Sequence, residues 1–234
     1  MITAAALCPA PPLLARELTG ADPVVPELRQ ACQDAAARLL VDDPDVVVVV
    51  GAGEQTGVWD GGPGLDMSAF APGIAPAARD GSPGLPLPLG LGARLLDQAE
   101  YGGRRVLQLV GEDEPASRCA ELGARIARSA GRVALLAMAD GSARRGPKAP
   151  GYFDGRSGPF DAEVERAVQA GDLDALLALD QDLARELMAT GRPAWQVLAG
   201  ALQGTKPASE IIYRDDPFGV AYLVASLAVR PPAA

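Results

Sequence analysis

The pattern of apolar and polar positions predicts an alternation of strands and helices along the chain. A run of five valines at 46–50 contains no polar residue, which is typical of a strand buried on both faces of a parallel sheet. Between residues 26 and 40 the apolar positions recur at helical spacing, and Pro26 suits a first helical turn. Similar patterns predict strands at 2–7, 106–110, 133–138, 210–213 and 220–228, and helices at 93–99, 115–129, 161–170, 173–179, 181–190 and 194–202.

This order of elements predicts an α/β protein with three layers, in which helices cover both faces of a central, mostly parallel or mixed sheet. Two stretches rich in Gly and Pro, 51–90 and 141–158, have no clear period and are predicted to be long loops. We find no internal repeat and no linker, so we expect one domain over residues 1–234. Long loops inside compact domains usually serve a function or move.

Composition excludes several kinds of partner. The net charge of −9 argues against a nucleic acid or an anionic membrane, because both are held mainly by clustered Lys and Arg. No apolar run approaches the roughly 20 residues that span a bilayer, and the run at 2–7 is too short for a signal peptide. The three cysteines have no CxxC spacing, so we expect neither disulfides nor a zinc site, and a reducing cytoplasm as the location.

The chain contains no histidine, which excludes nucleophilic catalysis through a Ser-His or Cys-His pair. Carboxylates can still act as bases. Glu54 and Asp140 each follow a predicted strand, and ligands of open α/β sheets bind at that carboxyl edge. The alternative is that both cap helices or turns in solvent. Cys8 ends the first strand and either faces the same edge or is a small buried hydrophobic residue.

Glycines follow the valine strand, at Gly51, Gly53 and Gly57. Dinucleotide-binding folds place glycines there so that backbone approaches a pyrophosphate, but the spacing also suits an ordinary tight turn. A P-loop is excluded because no Gly-Lys-Ser/Thr sequence occurs.

Several segments together resemble the catalytic (B) subunit of the class III extradiol ring-cleavage dioxygenases and the related Memo-type proteins. They follow the family's order over nearly the whole chain, including the long stretch 155–202. The resemblance is specific only through these pieces taken jointly: Cys8-Pro9-Ala10-Pro11-Pro12-Leu13-Leu14 with Glu17, Ala139-Asp140-Gly141-Ser142-Ala143-Arg144, Pro159-Phe160-Asp161, and Tyr213 with Pro217-Phe218-Gly219-Val220-Ala221-Tyr222 and Leu223-Val224-Ala225.

The resemblance implies an Fe(II) site made of two histidines and a carboxylate, but this chain lacks the histidines. One histidine position of the family corresponds to Ala10, and another falls where this chain has Gly51-Ala52-Gly53-Glu54. The histidine of the family's third segment corresponds to Ala143. We therefore expect no bound iron and no other cofactor, and we expect ring cleavage to be lost.

The leading hypothesis is a catalytically degenerate member of this family whose former cleft binds a small molecule or a protein. The second is an enzyme that uses carboxylates such as Glu54 and Asp140, helped by Tyr152 or Tyr213, or an oxygen-only metal site that adds Glu210. The third is a nucleotide-binding module. A homodimer through the apolar late helices is also open. The candidate site residues are Cys8, Ala10, Gly53, Glu54, Asp140, Ala143 and Tyr213.

Overall fold

The computed structural model describes residues 1–19, 24–59, 65 and 84–229, except for the side chain of Glu17. The strands within this part of the chain are β1 (Ile2–Cys8), β2 (Val46–Gly53), β3 (Gly57–Val58), β4 (Arg105–Gly111), β5 (Val133–Met138), β6 (Ala208–Asp215) and β7 (Tyr222–Ala228). The helices are α1 (Arg16–Thr19), α2 (Pro26–Leu39), α3 (Leu87–Gln98), α4 (Ala116–Ala127), α5 (Ser157–Ala170), α6 (Leu173–Leu177), α7 (Gln181–Glu186) and α8 (Arg192–Leu202).

The strands form one mixed sheet in the order β3-β4-β2-β5-β1-β7-β6. Neighbours within the run β4-β2-β5-β1 are parallel, and the pairs formed by β3, β7 and β6 are antiparallel. Helices α2 and α3 pack on one face of this sheet, and α4 to α8 pack on the other. The prediction of a three-layer α/β protein with a mixed sheet is confirmed.

The valine run at 46–50 shows why the two faces are both apolar. Val46, Val48 and Val50 point into the core beneath α4 and α8, while Val47 and Val49 point into the core beneath α2 and α3. All five side chains are at most 2% exposed. A strand covered on both faces needs no polar alternation, and this is what the sequence pattern indicated.

The connections between parallel strands create a crevice at the carboxyl edge of the sheet. The chain leaves β1 towards α2, on one face, and after β5 it continues towards α5, on the opposite face. Because β1 and β5 are neighbours, their connections diverge at their carboxyl ends. Such a topological switch point is where open α/β sheets bind their ligands.

The predicted loop at 51–90 is wrong at both ends. β2 continues to Gly53, β3 follows at residues 57 and 58, and α3 begins at Leu87 instead of 93. Close packing explains the glycine at position 51, because a Cβ there would lie 2.6 Å from the side chain of Pro88, whereas a Cβ on Gly57 in β3 would meet nothing within 4 Å. The middle of this segment lies outside the described residues apart from Leu65, which bridges to Leu85.

Helix α8, one of the late helices considered for a homodimer, is covered within the chain. α8 packs between α4 and the sheet, and each of its residues is buried. Its apolar surface is therefore used inside the chain and is not available to a second copy. Helix α5 also begins four residues earlier than predicted, at Ser157.

Candidate functional site

Asp140 lies at the centre of the carboxyl edge, in the crevice between β1 and β5. Met138, the last residue of β5, is paired with Cys8, the last residue of β1. Beyond the strands the pairing continues, since the amide of Ala139 donates to the carbonyl of Cys8 over 2.8 Å. The amide of Ala10 then donates to Oδ1 of Asp140, also over 2.8 Å. The sequence prediction that Asp140 lies at this edge agrees with its position.

The surroundings of Asp140 favour its neutral form. Burial raises the pKa of its carboxyl group to about 6, and the amide of Ala10 opposes the rise only in part. Tyr222, the first residue of β7, is close enough to respond: its pKa lies above the usual range, first because it is buried and then because of the Asp140 charge. A carboxyl group with a pKa of about 6 can exchange a proton near neutral pH.

Cys8 and Ala10 flank Asp140 but offer little chemistry. Cys8 is fully buried, and a hydrogen bond with Cys32 on α2, followed by burial, raises the pKa of its thiol well above the ordinary value. A thiol held protonated in this way is a poor nucleophile and a poor metal ligand. The methyl group of Ala10 is buried, and only its backbone amide takes part in the site.

Glu54 and Glu210 do not join Asp140. Glu54 follows β2 at the same edge but is exposed. Glu210 pairs with Ser226, which pairs with Ala6 in the middle of β1, and it forms an ion pair with Arg38. Within the described part of the chain no three His, Cys, Asp or Glu side chains cluster closely enough to hold a metal ion. The oxygen-only metal site of the second hypothesis is not formed by these residues.

The remaining candidates lie around the crevice without forming a catalytic set. Ala143 is buried, and its backbone bonds to Leu187 and Gly151. Tyr213 on β6 donates to Asp215 over 3.4 Å, and burial is the main cause that raises its pKa to about 12. Tyr152 is 77% exposed. Gly53 ends β2, where a Cβ would lie 2.9 Å from Leu109, so packing accounts for this glycine.

A network that the sequence analysis missed holds the segment after Asp140. Asp161 on α5 accepts hydrogen bonds from the amide of Ser142 over 2.9 Å and from its hydroxyl over 2.5 Å. Arg145 lies 3.7 Å from Asp161 and 2.8 Å from Asp216. Burial is the first cause that raises the pKa of Asp161. These contacts fix the backbone that carries Asp140.

A cavity of about 300 Å³ lies beside this network, between α5 and the hairpin formed by β6 and β7. The amide of Gly141 donates to the carbonyl of Ala221, and the amide of Ala221 donates to the carbonyl of Ser142, which joins the hairpin to the Asp140 segment. Three segments that carry the family resemblance, 139–144, 159–161 and 217–222, therefore meet here. In the sequence, Asp161 and Tyr222 were marked only by lying within segments that resemble the family.

Comparison with known proteins gives information on the fold. No protein-family model matches the chain, and no curated protein is significantly similar to it in sequence. The chain is similar to the crystal structure of an uncharacterized protein from Escherichia coli K12, with a TM-score of 0.59 and 14% identity. The match covers 97% of this chain and 99% of that one. In addition, no helix among the described residues is long and apolar enough to cross a membrane.

Proposed function

We propose that this chain is an extradiol-dioxygenase-like protein that no longer holds Fe(II), and that it binds a small polar molecule at the carboxyl edge of its sheet. The observation that carries the proposal is the contact between Ala10 and Asp140. At a position where the family resemblance implies a histidine ligand, this chain offers a buried methyl group and an amide that is already bonded to a carboxylate.

The donor set around the crevice does not suit iron. Fe(II) in such enzymes takes two imidazoles and a carboxylate, whereas Ala10, Gly53 and Ala143 have no side-chain donor atom. Cys8 is the nearest soft donor, but its thiol is protonated and bonded to Cys32. Within the described part of the chain no three His, Cys, Asp or Glu side chains come together here, and the carboxylate of Asp140 by itself gives too few ligands for a stable site.

Asp140 is better suited to bind an organic ligand. One of its oxygens accepts from Ala10, and the residue as a whole keeps partial exposure at the switch point although burial disfavours the charge of its carboxyl group. A ligand with an N–H or O–H group would give the charged form of this carboxyl group a second hydrogen bond, which offsets part of its cost of burial.

Two measurements test the proposal. We expect the purified protein to hold far less than one iron per chain and to show no catechol-dependent oxygen uptake after Fe(II) is added. Small molecules found by ligand-observed NMR should bind the native chain and bind Asp140→Asn less well, while the exposed control Asp97→Asn keeps its affinity. Stoichiometric iron together with catechol-dependent oxygen uptake would contradict the proposal.

A second candidate function is acid-base catalysis without a metal, and the raised pKa of Asp140 favours it. A general acid or base works best when its pKa is near the working pH, and the phenol of Tyr222 is close enough to Asp140 for the charge of that carboxylate to raise its pKa. On this alternative, Asp140→Asn abolishes a turnover whose rate changes with an apparent pKa near 6. A turnover that survives Asp140→Asn, or that requires a divalent cation, speaks against it.

A further inference from the structure

A groove lies between helix α4 and the part of the sheet formed by β2, β4 and β3. Its volume is about 580 Å³, which is within the range of small-molecule sites. Alternate residues of two neighbouring strands form its floor: Val46 and Val48 of β2, Arg104 immediately before β4, and Val106 and Gln108 within β4. Neither Asp140 nor Tyr222 lines this groove, so a ligand here is independent of the function proposed for Asp140.

The walls of the groove come from α4 and β3. The helix contributes four residues at helical spacing, Leu122, Arg125, Ile126 and Ser129. Helix α4 runs from the carboxyl end of β4 to the amino end of β5, so its last turn, with Arg125, comes to the end of the sheet where Arg104 lies. The opposite wall includes Val58 of β3, which is 62% exposed. The groove thus has guanidinium groups at one end and apolar side chains along its length.

The two guanidinium groups are available to a ligand. Within the described ranges neither Arg104 nor Arg125 forms an ion pair, whereas Arg118 on the same helix binds Glu121 over 2.9 Å. No described residue of the lining carries a carboxylate. Both arginines are exposed, so an anion alone would gain little from them. A ligand that binds here needs an apolar body as well as a negative charge.

The other end of the groove is unfavourable for an anion. Thr56 lies there, since its hydroxyl accepts from the amide of Gly111, the last residue of β4, and donates to the carboxylate of Glu114. The amide of Gln108 already donates to the carbonyl of Leu109 over 2.7 Å. A negative head group therefore belongs at the arginine end, and the apolar chain of the ligand points towards the carboxyl ends of the strands.

Strand geometry sets the length of that chain. The floor extends from Arg104 to Gln108, four residues along a strand, or about 13 Å. An extended carbon chain advances roughly 1.2 Å per bond, as an extended backbone does. We propose that the groove binds a medium-chain carboxylate of about six to ten carbons, with its carboxylate at Arg104 and Arg125 and its alkyl chain along Val106 towards Val58.

Calorimetry with four matched probes tests the ligand class. Octanoate has the charge and the chain, octan-1-ol lacks the charge, octylamine reverses it, and butanoate lacks most of the chain. We expect octanoate to bind with a Kd of about 1 mM or tighter, and octan-1-ol to bind about fivefold more weakly. Butanoate should bind at least about tenfold more weakly than octanoate, because it leaves most of the apolar floor uncovered.

Octylamine is the most discriminating of these probes. A chain with a net charge of −9 attracts cations to its surface in general, so a preference for octanoate requires a local group of guanidinium charges. We expect octylamine to bind at least about tenfold more weakly than octanoate. Equal or tighter binding of octylamine or octan-1-ol, or no binding of octanoate at about 5 mM, overturns the proposal.

Four variants of exposed residues locate the site. Arg104→Gln and Arg125→Gln should each weaken octanoate binding about fivefold and leave octan-1-ol binding unchanged. Val58→Ser removes part of the apolar wall and should weaken both probes about threefold. Arg166→Gln, on α5 and outside the lining, makes the same change of charge and should bind octanoate as the native chain does. If both groove arginine variants keep the native affinity for octanoate, the proposal is wrong.

A second copy of the chain is the competing occupant of the groove. Sedimentation velocity of the native chain and of Val58→Ser distinguishes the two occupants. We expect both proteins to have the same oligomeric state, because the groove holds a small molecule. A native dimer that Val58→Ser converts into a monomer would show that the groove is an interface between copies, and would overturn the proposal.

Discussion

At the scale of single residues, Asp140 combines burial with an incomplete set of partners. One backbone amide, that of Ala10, bonds to its carboxyl group, and no arginine or lysine forms an ion pair with it within the described ranges. Taking a carboxylate out of water disfavours its charged form unless several donors or a cation compensate. The residue is therefore kept at a cost to stability, which is common where a group serves a site and not the fold.

This cost makes stability depend on pH in a predictable direction. The folded protein binds the Asp140 proton more tightly than the unfolded chain, whose ordinary value is 3.8, so stability falls as pH rises from about 4 to 6 and is then constant. Asp140→Asn cannot ionise and should therefore gain, relative to the native chain, about 2 kcal/mol of unfolding free energy between pH 4 and pH 7. Urea denaturation of both proteins at the two pH values measures the gain.

Asp97→Asn is the control for this prediction, since Asp97 is an exposed carboxylate on α3, away from the crevice. Its unfolding free energy relative to the native chain should change little between the two pH values. An Asp140→Asn variant with the same small change would mean that Asp140 is well solvated and paired, and the reasoning on its pKa would fail.

The sequence was informative about Asp140 but not about its neighbours. A carboxylate directly after a buried strand must lie at the carboxyl edge, whatever the rest of the fold. Asp161 lies 21 positions later in the chain, on a helix, and reaches Ser142 only because α5 folds back over the edge. For Glu210 the sequence suggested a place in the site that the residue does not have. A strand pattern does not show which end of the strand lies at the site.

At the scale of elements, the contact between α4 and α8 depends on two glycines. A Cβ on Gly123 would overlap the carbonyl oxygen of Val197 and lie 2.5 Å from the amide nitrogen of Ala201. A Cβ on Gly200 would lie 2.5 Å from the backbone of Ala120. The two helices therefore approach backbone to backbone, which brings α8 into the core and places Trp195 under the cavity.

Gly123→Ala should separate these helices. Alanine is the better helix former by about 1 kcal/mol, but the overlap is with backbone atoms that cannot move independently. We expect a net loss of about 2 to 3 kcal/mol in unfolding free energy, measured by urea denaturation. Gly102→Ala, at a position where a Cβ meets nothing within 4 Å, is the matched control and should change stability by less than about 0.5 kcal/mol.

The same close contacts explain where the sequence misled us about elements. The start of α3 contains Pro88, Gly90 and Gly92, a composition that indicates a loop. In the fold both positions are helical, and they hold glycine because a Cβ would meet other parts of the core, Leu65 at Gly90 and Val49 at Gly92. Strand interiors such as 46–50 were predictable because their signal is local, whereas these helix starts depend on tertiary contacts.

At the scale of the whole molecule, the sheet joins the two ends of the chain. β1 pairs with β5 on one side and with β7 on the other, so the first strand lies between strands that come much later in the sequence. Neither the first nor the second half of the chain can complete the sheet alone. This arrangement supports the expectation of a single domain, and it implies that unfolding is one cooperative transition.

The two tryptophans allow this cooperativity to be measured separately on each face of the sheet. Trp59 packs against the core beneath α2 and α3, and Trp195 is buried in the core beneath α4 and α8. In Trp195→Phe the fluorescence reports the first face, and in Trp59→Phe it reports the second. Within each variant we expect the fluorescence and far-UV circular dichroism transitions in urea to have the same midpoint, because β1 and β5 contribute side chains to both cores.

Comparing the two probes within one variant removes the effect of any destabilisation by the substitution itself. A fluorescence transition that precedes the loss of secondary structure in one variant alone would mean that the two layers of helices unfold separately, and that the chain is not a single cooperative unit.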